Sequence, residues 1–294
     1  MTHSLSPTEA ENPQSAGLDL LTTPALVELL VADQRAAVDA ALAQTQVIAQ
    51  AVDEIARRLS RGGRLHYVGA GSSGRIATLD ASEMPPTFGT PPEMVRAHIA
   101  GGSTALTSAV EGAEDDAGAG DVTMLECVRA GDAVLGISAS GTAAFVVAAI
   151  TRAATIGAYT IALTADAQSA LARAAELAIV PPTRAEVLAG STRLKAGTAQ
   201  KVVLNTISTA VMVRLGKVYD NLMVDVVANN RKLRGRALRL VARLAHVSEE
   251  RAEELLAQAG GRVKIAVVME SRGVDATQAR ALLERNDGAL RRLL

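Results

Sequence analysis

Tryptophan is missing from this 294-residue chain, and only two phenylalanines and three tyrosines are present, although hydrophobic residues make up 49% of it. A core of large aromatic plates is therefore excluded. Ala, Val, Leu and Ile must fill it, and such small aliphatics suit helices packed closely on a parallel sheet. Cysteine occurs once, at Cys127. That excludes an intrachain disulfide framework and suits a reducing, cytoplasmic compartment. An excess of charge of one sign is missing too: the net charge is −1, which excludes a globally basic nucleic-acid footprint. The one basic run, NNRKLRGRALRLVAR (229–243), reads as a solvated helix face. His3, His66, His98 and His246 have no ligand spacing, so no metal and no other cofactor is expected. A long unbroken hydrophobic run is also lacking. The most apolar stretch, 143–165, is interrupted by Arg152 and by glycine, so no membrane span is expected. The first 17 residues carry acids and no apolar h-region, which is not the pattern of a signal peptide.

What is present is an alternation of strand and helix patterns. After a polar segment, 1–17, expected to be a disordered tail, the apolar spacing is helical from about Thr23 to Arg61 and stops at SRGGR. A helical segment over 18–64 is thus expected to pack on the domain C-terminal to it. Short β-branched runs at Leu65–Val68, Val95–Ile99, Ala133–Ser138, Thr160–Leu163 and Ala178–Val180 predict strands. Segments near 73–84, 104–117, 142–156 and 167–176 have helical composition, and a long helix is expected over 191–216. Five strands separated by helices predict an α/β fold, a doubly wound parallel sheet flanked by helices over 65–235. Residues 236–294 predict a small bundle of about three helices, with starts at Ser248 and Asp275 and turns at GG and RG.

Two loops, each between a strand and a helix, have the composition of anion sites. The first is Gly69-Ala70-Gly71-Ser72-Ser73-Gly74 and the second is Ser138-Ala139-Ser140-Gly141-Thr142. Each offers backbone N–H groups at a helix N-terminus together with hydroxyls. In an open parallel sheet such loops lie at the C-terminal edge, where ligands bind. Each is equally readable as a tight turn. No acid-ended second strand follows at the dinucleotide spacing, and the Gly-Lys-Ser/Thr of a P-loop is absent. A monophosphate ester suits this pair better than a triphosphate.

Carboxylates cluster in DASEMPP (80–86) and EGAEDD (111–116). Glu83 and Glu114 are candidates to divide acid and base roles, although composition alone favours reading Glu114 and its neighbours as a solvated acidic helix start. Met84, Pro85 and Pro86 are expected to exclude water from Glu83. A third polar cluster, Glu186 with Ser191 and Lys195, lies just past a Pro-Pro loop and is a candidate to line a sugar-phosphate pocket.

The strand–GxGSSG–helix unit with its SxSGT loop resembles the sugar isomerase (SIS) domain. Within it, GAGSSGRIATLDASEMPPTFG, IAGG, VEGAEDD, STRLKAGTAQK and NLMVDVVANN, in that order, resemble the N-acetylmuramic acid 6-phosphate etherases, a family similar to the glucokinase regulatory protein. The likeness runs from about Leu18 to the C-terminus. It implies a cytoplasmic homodimer that cleaves the C3 D-lactyl ether of N-acetylmuramic acid 6-phosphate without metal or nucleotide, Glu83 being the acid and Glu114 the base. Gly71, Ser72, Ser73, Gly74, Ser138, Ser140, Gly141 and Thr142 would hold the phosphate. Two other readings remain open at this point: an SIS aldose–ketose isomerase, which would use Glu186 as base and leave Glu83 idle, and a non-catalytic sugar-phosphate sensor.

Overall fold

Strands of a parallel sheet are covered on both faces, so their side chains are apolar in both directions. The computed structural model, which describes residues 6–226 and 231–294, has this character. It divides into two compact units, one running to Ala81 and resuming over Glu93–Ser208, the other made of Ser82–Pro92 and Thr209–Leu294.

In the first unit the helical N-terminal segment is three helices, α1 (Thr23–Asp33), α2 (Arg35–Leu42) and α3 (Thr45–Leu59). A single helix was expected, and no glycine or proline marks the breaks. The residues at the breaks hold other parts of the unit instead: Gln34 accepts a hydrogen bond from Thr198 (2.7 Å) and Gln44 accepts one from the Val180 N–H (3.1 Å). Residues 6–17, expected to be a disordered tail, are held as well. Thr8 is buried, its carbonyl accepts from the Gly190 N–H, and Asn12 donates to the Ala185 carbonyl.

The sheet consists of β1 (Leu65–Gly69), β2 (Val95–Ile99), β3 (Ala133–Ile137), β4 (Tyr159–Leu163) and β5 (Leu177–Ile179), all parallel, in the order β2-β1-β3-β4-β5. The three inner strands are buried throughout. The helices are α4 (Gly71–Phe88), α5 (Ala117–Cys127), α6 (Ala144–Ile156), α7 (Ala170–Ala174) and α8 (Lys195–Arg214). One face of the sheet packs Val68, Val134 and Ala162 against Phe145, Val146, Ala149 and Ile150 of α6, with Met124 of α5 and Leu171 of α7. On the other, Tyr67 reaches Asp80 of α4, which also receives Asn205 and Ser208 of α8.

The helix expected over 104–117 does not form. The chain makes 3₁₀ turns at Gly102–Leu106 and Ala113–Asp115 and a loop between them. Arg75 takes the carbonyls of Ala105 (2.9 Å) and Ser108 (3.1 Å), groups an α-helix would use internally. The helix begins instead at Ala117, capped by Asp116, which accepts the Ala119 N–H. Helix α4 runs four residues beyond its expected end, through Pro85 and Pro86.

The second unit carries a short hairpin, β6 (Val218–Tyr219) with β7 (Leu222–Met223), then α9 (Arg231–Ala245), α10 (Glu249–Gln258), α11 (Val263–Arg272) and α12 (Ala276–Arg285). Four helices stand where about three were expected. The expected starts are present: Ser248 accepts from the Arg251 N–H, and Asp275 forms a capping box with Gln278. Leu233, Ala237, Leu240 and Val241 turn α9 inward while Arg231, Arg234, Arg239 and Arg243 are exposed, so within α9 the basic run is a solvated face. Residues 227–230, the end of the NLMVDVVANN motif and the start of that basic run, and His3 in the tail lie outside the described residues. Among the described residues no helix is long and apolar enough to cross a membrane.

Candidate active site

In a sheet of order 2-1-3-4-5 the chain winds outward in opposite directions from β1 and from β3, which leaves a crevice between the C-terminal ends of these two strands. Gly69 and Ile137 are register partners at that edge. The two loops singled out in the sequence leave the sheet from these residues, so they flank the crevice. Helices α4 and α6 start from them, and first-turn N–H groups lack intrahelical partners.

In the first loop Gly71 is left-handed (φ 53°) and opens α4. Gly74 packs the helix on the sheet: a Cβ there would lie 2.5 Å from Ile99 Cγ1 and 2.9 Å from the Gly69 carbonyl oxygen. Ser72 is exposed. Ser73 is buried and donates its hydroxyl to Gln200 Oε1 (2.9 Å), so that hydroxyl is already engaged within the protein. In the second loop Ser138 Oγ accepts the Gly141 N–H (3.1 Å). Gly141 is left-handed (φ 68°), and a Cβ on it would stand 2.2 Å from Ser169 Oγ. The hydroxyls of Ser140 and Thr142 bond to each other (2.8 Å) in an accessible position. The result is a cradle of helix N-termini and hydroxyls, the donor set a phosphate monoester needs.

Glu114 lies in the 3₁₀ turn before α5 and is exposed. The acidic cluster does form a solvated helix start, as one reading of it expected: Glu114 and Asp115 stand in the first turn of the 3₁₀ segment and Asp116 caps α5. Upstream of Glu114 Arg75 bonds the carbonyls of Ala105 and Ser108, and downstream Asp116 caps α5. Glu83 lies in α4 within the second unit and is also exposed. Met84 turns into the core, so it does not shield Glu83 as expected.

Glu186 and Lys195 are placed otherwise than a phosphate pocket would require. Glu186 is buried and accepts the N–H groups of Lys195 (3.1 Å) and Ala196 (2.8 Å), capping α8. Burial pushes its carboxyl above the usual range. Lys195 is buried with its ammonium on Asp33 (2.8 Å). Ser191 is half-buried, four residues before α8. Reading the sequence alone gave no role to Arg75, which lies in the GSSGR motif, or to Asn205, and it placed Asp80 and Gln200 only as members of polar clusters. Only their partners, distant in sequence, reveal what they do.

An open parallel sheet with paired Gly/Ser-rich loops at its switch point, joined in the chain to a C-terminal helical unit, defines an SIS-domain protein. Residues 110–210 match the SIS domain, 47–154 the glucokinase regulatory protein N-terminal SIS domain, and 220–264 the C-terminal lid domain of glucokinase regulatory protein. A solved phosphoheptose isomerase from Francisella tularensis shares the fold, with a TM-score of 0.51 at 20% identity, covering 66% of this chain and 100% of that one. Over nearly its whole length the chain is also 48% identical to an N-acetylmuramic acid 6-phosphate etherase of Gloeobacter violaceus, across 284 residues, 96% of this chain and 93% of that protein. It is 47% identical to N-acetylmuramic acid 6-phosphate etherase 2 of Vibrio cholerae, covering 97% and 94%. The chain belongs to the N-acetylmuramic acid 6-phosphate etherase family.

Proposed function

We propose that this protein cleaves the C3 D-lactyl ether of N-acetylmuramic acid 6-phosphate, yielding N-acetylglucosamine 6-phosphate and D-lactate. The observation that carries the reading is near-full-length identity to etherases, joined to a phosphate-type cradle at the switch point. The phosphate is held by the backbone of Gly71, Ser72, Ser73 and Gly74 and by Ser138, Ser140, Gly141 and Thr142. It supplies binding energy remote from the reacting carbons. With the ring open, the C1 aldehyde acidifies the C2 proton. Glu114 takes that proton, the C2–H electrons form the C2=C3 bond, and the C3–O bond breaks. Glu83 protonates the departing lactyl oxygen. Water then adds its oxygen to C3 and a proton to C2. Each positioned acid or base contributes about a hundred- to ten-thousand-fold. The isomerase alternative is disfavoured because both oxygens of Glu186 are engaged in capping α8.

The working form is a homodimer in which each site takes its two glutamates from different chains. Glu83 comes nine residues after Gly74 in the sequence, and a helix that starts at a phosphate loop runs away from the pocket, which favours the supply of Glu83 by a second chain. A two-fold dimer makes two equivalent shared sites. Leu20, Val27, Val31, Val38 and Leu42 expose apolar surface on and beside α1 and α2 and would be covered in it. The single cysteine suits a cytoplasmic location. Incubation with N-acetylmuramic acid 6-phosphate and an enzymatic assay of D-lactate tests the reaction. No D-lactate from folded protein overturns it.

A further inference from the structure

A cavity of about 270 Å³ lies in the first unit where the chain enters β1 and β3, with Gly63 just ahead of Leu65 and Asp132 just ahead of Ala133 in its wall. It is thus at the N-terminal edge of the sheet. The Gly/Ser-rich loops leave from the other end of the same two strands, about 16 Å away for five residues. Four arginines line it: Arg57 and Arg58 from the last turn of α3, Arg61 from the turn that follows, and Arg129 from the turn after α5. Asp132 clasps the two segments together, accepting the Arg64 N–H (2.8 Å), the Arg64 guanidinium (2.8 Å) and the Arg129 N–H (3.0 Å). Of the described lining residues only Asp132 is an acid, and Arg64 already neutralises it. Glu54 pairs with both Arg57 (2.6 Å) and Arg58 (2.7 Å). Arg61 and Arg129 are exposed and, among the described residues, form no ion pair. Basic side chains near a helix C-terminus often serve its last carbonyls. In α3 those of Ala56, Arg58 and Leu59 accept instead from the N–H groups of Ser60, Arg61, Gly62 and Gly63, so the arginines are free of that task.

We propose that this cavity binds a compact diphosphate group, free or as the end of a larger molecule, at the edge of the sheet away from the Gly/Ser-rich loops. The charge selects an anion. Four guanidiniums face the single carboxylate of Glu54, while Asp132 and Arg64 cancel, so the lining keeps a clear positive excess. A phosphate monoester brings about −1.5 to −2 at neutral pH, and two phosphates come closer to balancing that excess than one. A guanidinium presents its donors as a planar fork that matches phosphate oxygens. Arg61 and Arg129 stand on different segments, and two phosphates offer oxygens to each. Arg58 is preorganised, held by Glu54 and by the Tyr159 ring, whose centroid lies 4.6 Å from its guanidinium carbon. The volume falls below the range of drug-sized sites, so the cavity takes the charged group and leaves any remainder of the ligand outside. The proposal does not depend on the etherase reaction.

The test is hydrogen–deuterium exchange of the full chain with millimolar inorganic pyrophosphate, and separately with ADP and with inorganic phosphate, all at physiological salt, where attraction to exposed charges alone is screened. Pyrophosphate should slow exchange in residues 57–64 and 127–132, and phosphate should do so more weakly. The same protection from ADP would assign the group as the end of a larger molecule, and protection from pyrophosphate without ADP would assign free diphosphate. A chain with both Arg61→Gln and Arg129→Gln loses no ion pair and should fold. It should need about tenfold more pyrophosphate or more for half protection of these residues, with any protection of residues 69–74 and 138–142 unchanged. Protection by pyrophosphate confined to residues 69–74 and 138–142, equal protection of residues 57–64 by phosphate, no protection at all, or full protection in the double variant would each overturn the proposal.

Discussion

Glu83 and Glu114 are both exposed acids, but they stand on different supports. Glu114 sits in a 3₁₀ turn just before the Asp116 cap of α5, and Glu83 on the side of a helix. Their proposed tasks can be separated by isotope exchange, because removing the C2 proton precedes loss of lactate. Glu83→Gln should abolish D-lactate release and still permit exchange of the C2 proton with deuterated solvent. Glu114→Gln should abolish both. NMR of the recovered substrate measures this, and wild-type exchange in Glu114→Gln would reverse the assignment. Each substitution should lower kcat by at least about a hundredfold.

Among the elements, α4 bears the greatest demand, since it opens in the first Gly/Ser-rich loop and continues through the DASEMPP motif. Its rotation about its own axis is set by Asp80, a buried carboxylate that accepts from Tyr67 Oη (3.0 Å), Asn205 Nδ2 (2.6 Å) and Ser208 Oγ (3.1 Å). Burial pushes this carboxyl upward, against the three hydrogen bonds that pull it down. Asp80→Ala would leave three donors without an acceptor, at roughly 1–3 kcal/mol for each that stays buried. Urea unfolding should therefore show a loss of about 3 kcal/mol or more. A loss under about 1 kcal/mol would mean that α4 is held by apolar packing alone.

For the whole molecule, two predictions concern stability and assembly. His66 and His98, though apart in sequence, meet across β1 and β2 with Nδ1 and Nε2 3.0 Å apart and rings stacked. Burial pushes both to about 4, helped by His98 beside His66 and by Arg96 beside His98, while Asp132 raises His66. The unfolded chain takes up these protons near pH 6.5. The stability that neutral rings allow is thus full above 6.5 and lost as pH falls through about 4, by roughly 3 kcal/mol per ring. Histidine ring signals in NMR should show neither ring titrating above pH 5, and a midpoint near 6.5 for either would refute this. The second prediction tests the shared site. Chains bearing Glu83→Gln and chains bearing Glu114→Gln, unfolded and refolded together, should regain about a quarter of wild-type sites, since random assembly makes half the dimers mixed and gives each one intact site. Confirmed mixed dimers with no lactate release would show that one chain supplies both glutamates.

Strands β1 to β5, the two Gly/Ser-rich loops at the ends of β1 and β3, the carboxylate motifs and the caps at Ser248 and Asp275 were legible in the chain because each depends on local chemistry. Apolar runs make strands, glycines make turns, and a capping side chain bonds a backbone three residues away. What only the tertiary structure decided was set by partners distant in sequence. The N-terminal helix breaks where Gln34 and Gln44 bond to residues 198 and 180. The 104–117 helix is lost because Arg75 takes its carbonyls. Lys195 and Glu186, polar and well placed in sequence for a phosphate, turn inward to Asp33 and to the start of α8. Sequence periodicity measures how often a residue faces the core. It does not reveal which distant group a buried charge meets, and in this fold that meeting decides which polar residues are left to face a ligand.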